Sequence, residues 1–188
     1  GVCDLVRERA EAAKEKYSIP KIYDTMHDAF KDPEVDIVLN LPRPYEHFEV
    51  SKAALEAGKH VYSEKPLGAS LDEGKKLVAL AESRKLRLGG APDTFLGGGI
   101  QTCRKLIDEG WIGEPVLVTA TMLGHGPESW HPDPAFFYHK GAGPMFDMGP
   151  YYLTALTNLL GPVDSVLGDA RISFPEREIT SEPHNGEI

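Results

Sequence analysis

The run Val35-Asp36-Ile37-Val38-Leu39-Asn40-Leu41 constrains this chain more than any other stretch. It is mostly apolar and short, the pattern of a strand buried inside a parallel sheet rather than of one lying on a wetted surface. Helical patterns flank it. Residues 5–17 are rich in helix formers. Thr25 and Asp28 stand at capping-box spacing before a short helix that runs to Phe30. A second good helix is predicted from Pro44 in its first turn to Ala57, closed by Gly58. His60-Val61-Tyr62 reads as a short strand. Ser70 and Glu73 open a helix that runs to about Lys85, and Leu86–Gly90 reads as the next strand. Strands alternating with helices predict an α/β fold on a parallel sheet.

The pattern changes after Pro92, where a boundary is placed. A helix near Gly99–Glu109 ends at Gly110. Residues 115–122 and 163–174 are β-prone, and a helix from Pro150 to Leu160 is stopped by Gly161-Pro162. Between them, residues 124–144 form a loop dense in Gly, Pro, His and aromatic residues.

Composition narrows the partners. The 188 residues carry 20 Lys and Arg against 29 Asp and Glu, a formal charge of −9. That balance argues against nucleic acid or an anionic membrane surface as a partner. No apolar run approaches the ~18 residues that span a bilayer. Cys3 and Cys103 form no CxxC and are too few for a disulfide framework, which favours a reducing, cytoplasmic setting. Both ends read as cut: Gly1-Val2-Cys3-Asp4 looks like the end of a buried strand, and Asn185-Gly186-Glu187-Ile188 like a turn entering another.

Ligands of parallel sheets bind beyond the carboxyl ends of the strands. Three such ends are expected on one rim, at Asp4, at Asn40-Leu41-Pro42-Arg43 and at Ser63-Glu64-Lys65-Pro66. An acid placed like Asp4 accepts hydrogen bonds from an adenosine ribose and repels a 2′-phosphate, favouring NAD over NADP; a helix N-cap is the competing reading. A lysine fixed between Glu64 and Pro66 can give a hydrogen bond or proton to a substrate oxygen, or serve only as a surface ion-pair partner. Asp147 and Tyr151 lie four apart, on one face if a helix begins there, and the helix dipole favours a carboxylate at that end; capping and packing alone would also account for them. Gly97-Gly98-Gly99 lacks the third glycine of GxGxxG, since Thr102 stands there, and reads as a turn. His125, His131 and His139 match no metal-ligand spacing, so no metal is expected. An aromatic wall of Trp130, His131, Phe136, Phe137 and Tyr138 suits the apolar face of a sugar.

The segment EVDIVLNLPRPYEHFEVSKAALEAGKHVYSEKPLG resembles the central signature of the Gfo/Idh/MocA oxidoreductases: a strand ending in Pro42, then His47, an AGKHV turn over Ala57 to Val61, and E-K-P at Glu64 to Pro66. RKLIDEGWIGEPVLV resembles that family's entry into a second domain, and GAGPMFDMGPYYLTALTNLLGPV its substrate-domain helix. The resemblance covers essentially the whole chain in order. It implies a partial NAD(P)-binding Rossmann domain over 1–91 and, over 92–188, the start of an α+β substrate and oligomerisation domain with an open sheet.

The same resemblance implies site residues. Lys65 is the lysine that contacts the reacting oxygen, and Asp147 matches the catalytic-helix aspartate. Asp4 stands at the ribose position. Pro42 and Glu64 line the nicotinamide, with Asn40 and His47 on the same cofactor rim. Substrate is expected against Lys65, Trp130, His131, Asp147 and Tyr151. The family commonly has His where this chain has Tyr151. A free Tyr titrates near 10 and a free His near 6.5, so Tyr151 serves as a proton donor whose transient phenolate a neighbouring Lys65 ammonium would stabilise.

The expected reaction is hydride transfer between NAD, with NADP as the alternative, and a sugar, polyol or related hydroxyl compound. The rival is a binding or sensing protein that keeps the fold without turnover. The expected assembly is a homo-oligomer of the full-length protein. The sequence holds no GxGxxG about 20 residues before Asp4, so this chain alone is expected to bind NAD poorly and to be inactive.

Overall fold

A computed structural model describes residues 1–188, which divide into two compact units, Gly1–Ala91 and Pro92–Ile188. In the first unit the elements are α1 (Arg7–Tyr17), α2 (Met26–Lys31), β1 (Ile37–Asn40), α3 (His47–Glu56), β2 (His60–Ser63), α4 (Leu71–Ser83) and β3 (Leu88–Gly90). The strands form one parallel sheet in the order β1-β2-β3. Asn40 pairs with Ser63, and Ser63 with Gly90, so all three carboxyl ends reach one rim. The expected α/β fold on a parallel Rossmann-type sheet is therefore present.

Local chemistry explains the boundaries. Thr25 Oγ1 accepts from the Asp28 backbone N–H at 3.1 Å, and Ser70 Oγ from that of Glu73 at 3.3 Å, each satisfying an amide that its helix leaves unpaired. Gly58 ends α3 at φ +81°, a left-handed conformation in which the backbone N–H groups of Gly58 and Lys59 return to the carbonyls of Leu55 and Ala54. At Gly89 a Cβ would stand 2.8 Å from the Tyr62 ring, so only glycine lets β3 lie against β2 there.

The core of this unit joins Phe30 of α2, Ala54 and Leu55 of α3, Val61 of β2, and Leu77 and Ala81 of α4. Residues of alternating parity leave the opposite sheet face apolar and open, with Ile37 57% and Leu39 64% exposed. Val2 and Ile22 make an isolated parallel bridge outside the three-stranded sheet. Asp4 follows that bridge, and this sheet's rim carries the other two expected strand ends.

Asp32 staples the α2–β1 connection. Its carboxylate accepts from Lys21 Nζ at 2.5 Å, the Tyr23 hydroxyl at 2.8 Å and the Glu34 backbone N–H at 2.9 Å. The Lys21 ammonium, the Glu34 amide and the Tyr23 hydroxyl, in that order, hold this carboxyl well below the usual carboxylate range. Its folded pKa thus lies under the unfolded value of about 3.9. The contribution to stability is full above that value and is lost as pH falls through the folded pKa. Asp32→Asn should lower the denaturation midpoint at pH 7 and shrink the loss of stability between pH 7 and pH 3. Equal acid losses in variant and parent would refute this.

The second unit contains α5 (Gly98–Asp108), α6 (Pro144–Asp147) and α7 (Gly149–Leu160). Arg104 of α5 donates to the carbonyls of Asn158 and Leu159, capping the carboxyl end of α7 where those groups lack helical partners. The β-prone stretches 115–122 and 163–174 form no ladder here. Strand propensity expresses packing against a partner strand, and their apolar side chains stand exposed, as at Val116, Leu117, Leu167 and Ile172. The open sheet expected of this half is therefore not formed within these residues. No helix in either unit is long and apolar enough to cross a membrane.

Candidate active site

In the first unit the sheet rim gathers the residues that follow β1 and β2. Glu64 N–H donates to the Asn40 carbonyl at 2.8 Å, carrying the turn after β2 back against the end of β1. Glu64 Oε2 accepts from the Lys65 backbone N–H at 2.9 Å, so this carboxylate shapes the turn that presents Lys65. Lys65 is half-buried, the Lys65–Pro66 peptide is cis, and Pro42 is exposed at the neighbouring turn.

Asn40 and His47, expected on the cofactor rim, are buried beside it and hydrogen-bonded to protein groups. Each is 1% exposed. Asn40 Nδ2 donates to the His47 carbonyl at 2.9 Å, to Ser51 Oγ at 2.7 Å and, more weakly, to Ser63 Oγ at 3.3 Å. His47 Nδ1 lies 2.6 Å from the Pro66 carbonyl oxygen and Nε2 3.1 Å from that of Pro42. The Asn40 amide N–H groups and the His47 ring nitrogens thus face protein groups, as buried polar groups generally do, while Asn40 Oδ1 is buried without a hydrogen-bond partner.

Asp4 remains exposed. Its Oδ1 accepts from the Val6 backbone N–H at 2.8 Å, a local turn just ahead of α1 rather than a bond within the helix. The carboxylate is on the surface where a ribose could reach it.

In the second unit Asp147 is the last residue of α6, and Met148 joins it to α7. Tyr151 lies in the first turn of α7, its N–H donating to the Met148 carbonyl at 3.1 Å. The helix predicted from Pro150 thus begins at Gly149, with Asp147 just before its amino end. Both side chains are half-buried.

The aromatic wall forms as a cluster. His131 packs edge-on against Phe136 and Phe137 with centroids 5.2 and 5.1 Å away, and against Trp130 at 5.5 Å. Trp130 itself is 65% exposed. The Asp133 backbone N–H donates to His131 Nδ1 at 2.9 Å, which leaves the neutral ring's proton on Nε2. His131 is thereby a fixed hydrogen-bond donor set in an apolar surround.

Glu128 anchors this loop and gave no sequence signal. It is buried and bound by the Tyr138 hydroxyl and the Arg177 guanidinium, while its carbonyl accepts from the Thr180 N–H at 2.9 Å. Burial opposes ionisation of Glu128, but Tyr138 and Arg177 outweigh it and hold the carboxyl below its ordinary range. Burial first, then the bond to Glu128 and its charge, push the Tyr138 phenol up to about 12. Arg177 lies 49 residues along the chain, beyond any local pattern.

A family model described as "Oxidoreductase family, NAD-binding Rossmann fold" matches residues 1–90, and one described as "GFO/IDH/MocA C-terminal domain" matches residues 100–184. Inositol 2-dehydrogenase of Salmonella typhimurium is 34% identical over 120 residues, covering 62% of this chain and 35% of that protein. Trans-1,2-dihydrobenzene-1,2-diol dehydrogenase of Bos taurus is 29% identical over 153 residues, covering 81% of this chain and 45% of that protein. Among solved structures, a probable dehydrogenase from Thermotoga maritima shares the fold at TM-score 0.71 and 23% identity, over 85% of this chain and 47% of that one. The chain spans less than half the length of these relatives.

Proposed function

This chain belongs to the Gfo/Idh/MocA oxidoreductase family, and from that premise we propose that its protein oxidises or reduces a hydroxyl-bearing carbon of a sugar or polyol with a nicotinamide dinucleotide. The observation that carries this reading is the placement of Glu64-Lys65-Pro66 directly after β2, on the carboxyl rim of a parallel sheet. The names of two relatives, an inositol dehydrogenase and a diol dehydrogenase, support the substrate class.

The residues present fit the ribose and nicotinamide ends of such a cofactor. The exposed Asp4 carboxylate suits ribose hydroxyls and disfavours a 2′-phosphate, which points to NAD. Pro42 and the turn at Glu64 and Lys65 lie on the strand-end rim where a nicotinamide belongs. The cofactor supplies two-electron hydride chemistry; the protein supplies position and electrostatics. Lys65 holds the reacting oxygen with its ammonium. In the reductive direction the Tyr151 phenol would give its proton to a substrate oxygen. In the oxidative direction the phenolate takes the proton back. Asp147 orients the substrate, and Trp130 with the His131 Nε2–H forms the wall against it.

The test is an incubation of the full-length protein with inositols, monosaccharides and vicinal diols, each with NAD and with NADP, followed by nicotinamide absorbance. Reduction of NAD by at least one polyol or sugar is expected. Cofactor binding without turnover across the whole panel would overturn the enzymatic reading in favour of a binding protein.

A further inference from the structure

We propose that His47 is a positioning residue that sets the place of Lys65 by holding the backbone carbonyl of the next residue, Pro66. This rests on the reading of Lys65 given above, but its geometry stands apart from it. The imidazole is fully enclosed, and each ring nitrogen faces a backbone carbonyl: Nδ1 that of Pro66, the residue next to Lys65, and Nε2 that of Pro42 in the turn after β1. A carbonyl oxygen only accepts, so a ring N–H must donate. The 2.6 Å contact to Pro66 is the shorter one and places a proton on Nδ1. The ring is itself held from behind, because Asn40 Nδ2 donates to the His47 carbonyl at 2.9 Å and to Ser51 Oγ one turn further along α3 at 2.7 Å.

The chain of contacts therefore runs from the end of β1 through Asn40 to the first turn of α3, through the His47 ring to Pro66, and so to the backbone that carries Lys65. The Lys65 amide is also bonded, to Glu64 Oε2, the end of the preceding side chain. With its one proton on Nδ1, the neutral ring bonds the Pro66 carbonyl, and the Pro42 carbonyl 3.1 Å from Nε2 is a packed neighbour, not a hydrogen-bond partner. Residues held this way by packing and hydrogen bonds keep a reacting group within the narrow geometric tolerance that catalysis needs.

The amide variants test the tie to Pro66. The Asn side chain places an N–H near the Nδ1 position and preserves the contact to Pro66. The Gln side chain places its amide near the Nε2 position, facing Pro42, and loses the contact to Pro66. Reductive methylation with a ¹³C label gives a Lys65 resonance, assigned by its absence from Lys65→Arg, that needs neither substrate nor cofactor. This resonance should remain distinct from the bulk lysines in the parent and in His47→Asn, and merge with them in His47→Gln. A distinct resonance in His47→Gln, or equal merging in both variants, would overturn the proposal.

In turnover assays His47→Gln should lose about 10²-fold in kcat with the dissociation constant for NAD unchanged, and His47→Asn should keep the larger share of kcat. Weakened NAD binding at unchanged kcat would instead make His47 a cofactor contact and overturn the positioning role. Failure of the Lys65 reading is recognised separately, by full turnover in Lys65→Ala.

Discussion

Lys65→Ala should cut kcat by about 10²- to 10⁴-fold, the range for removing a positioned proton-transfer or oxyanion-stabilising group, while NAD still binds. The separation follows from where Lys65 stands. Its backbone is shaped by Glu64 and by the tie through Pro66, neither of which needs the Lys65 side chain. The side chain is half-buried at a turn, outside the core that joins α2, α3, α4 and β2, so truncation leaves packing intact. The adenosine end of the cofactor is assigned to Asp4, across a different turn. Lys65→Arg is the sharper control. It keeps the charge but replaces a compact ammonium with a planar, wider fork, so it should recover little of the lost rate. Turnover within a few-fold of the parent in Lys65→Ala would remove this residue from the chemistry. Loss of NAD binding together with loss of rate would move it from substrate to cofactor.

What the sequence made legible and what it hid divide along physical lines. β1, α3, β2 and α4 were readable because each is specified locally: Thr25 and Ser70 announce helix starts, Gly58 an end, and the Val35–Leu41 run a buried strand. The E-K-P turn was readable because its residue types sit at the close of such a strand. The buried hydrogen bonds of Asn40 and His47 were not, because which way a polar side chain turns depends on groups brought from elsewhere, here the carbonyls of Pro42 and Pro66 around the His47 ring. Glu128 was invisible for the same reason, since Arg177 and Thr180 reach it from a distant segment. The stretches 115–122 and 163–174 show the converse error. Their β-propensity is real, but propensity without a partner makes no ladder.

Leu55→Ala should destabilise the first unit by about 2–5 kcal/mol, the range for truncating a fully buried leucine. Leu55 is 0% exposed and lies on α3 between Phe30, Val61 and Leu77, so its loss opens a cavity that three different elements border. Relaxation is restricted on every side. α3 is fixed at its amino end by the Asn40 and His47 contacts and at its carboxyl end by the turn at Gly58, and β2 is paired on both edges. A site that cannot collapse pays the larger part of the range. The contrasting substitution in the same unit is Leu5→Ala, where the side chain is 97% exposed and has little burial to lose; it should change stability by less than about 0.5 kcal/mol. Denaturant unfolding followed by a probe in the first unit measures both. Because Leu55 lies in the same helix as His47, the variant also links fold to site: the labelled Lys65 resonance should lose its distinct position as denaturant unfolds α3, in the same transition and at a lower midpoint than in the parent. A Leu55→Ala midpoint equal to that of Leu5→Ala would mean that α3 is not packed as described, and the anchoring of His47 would fall with it.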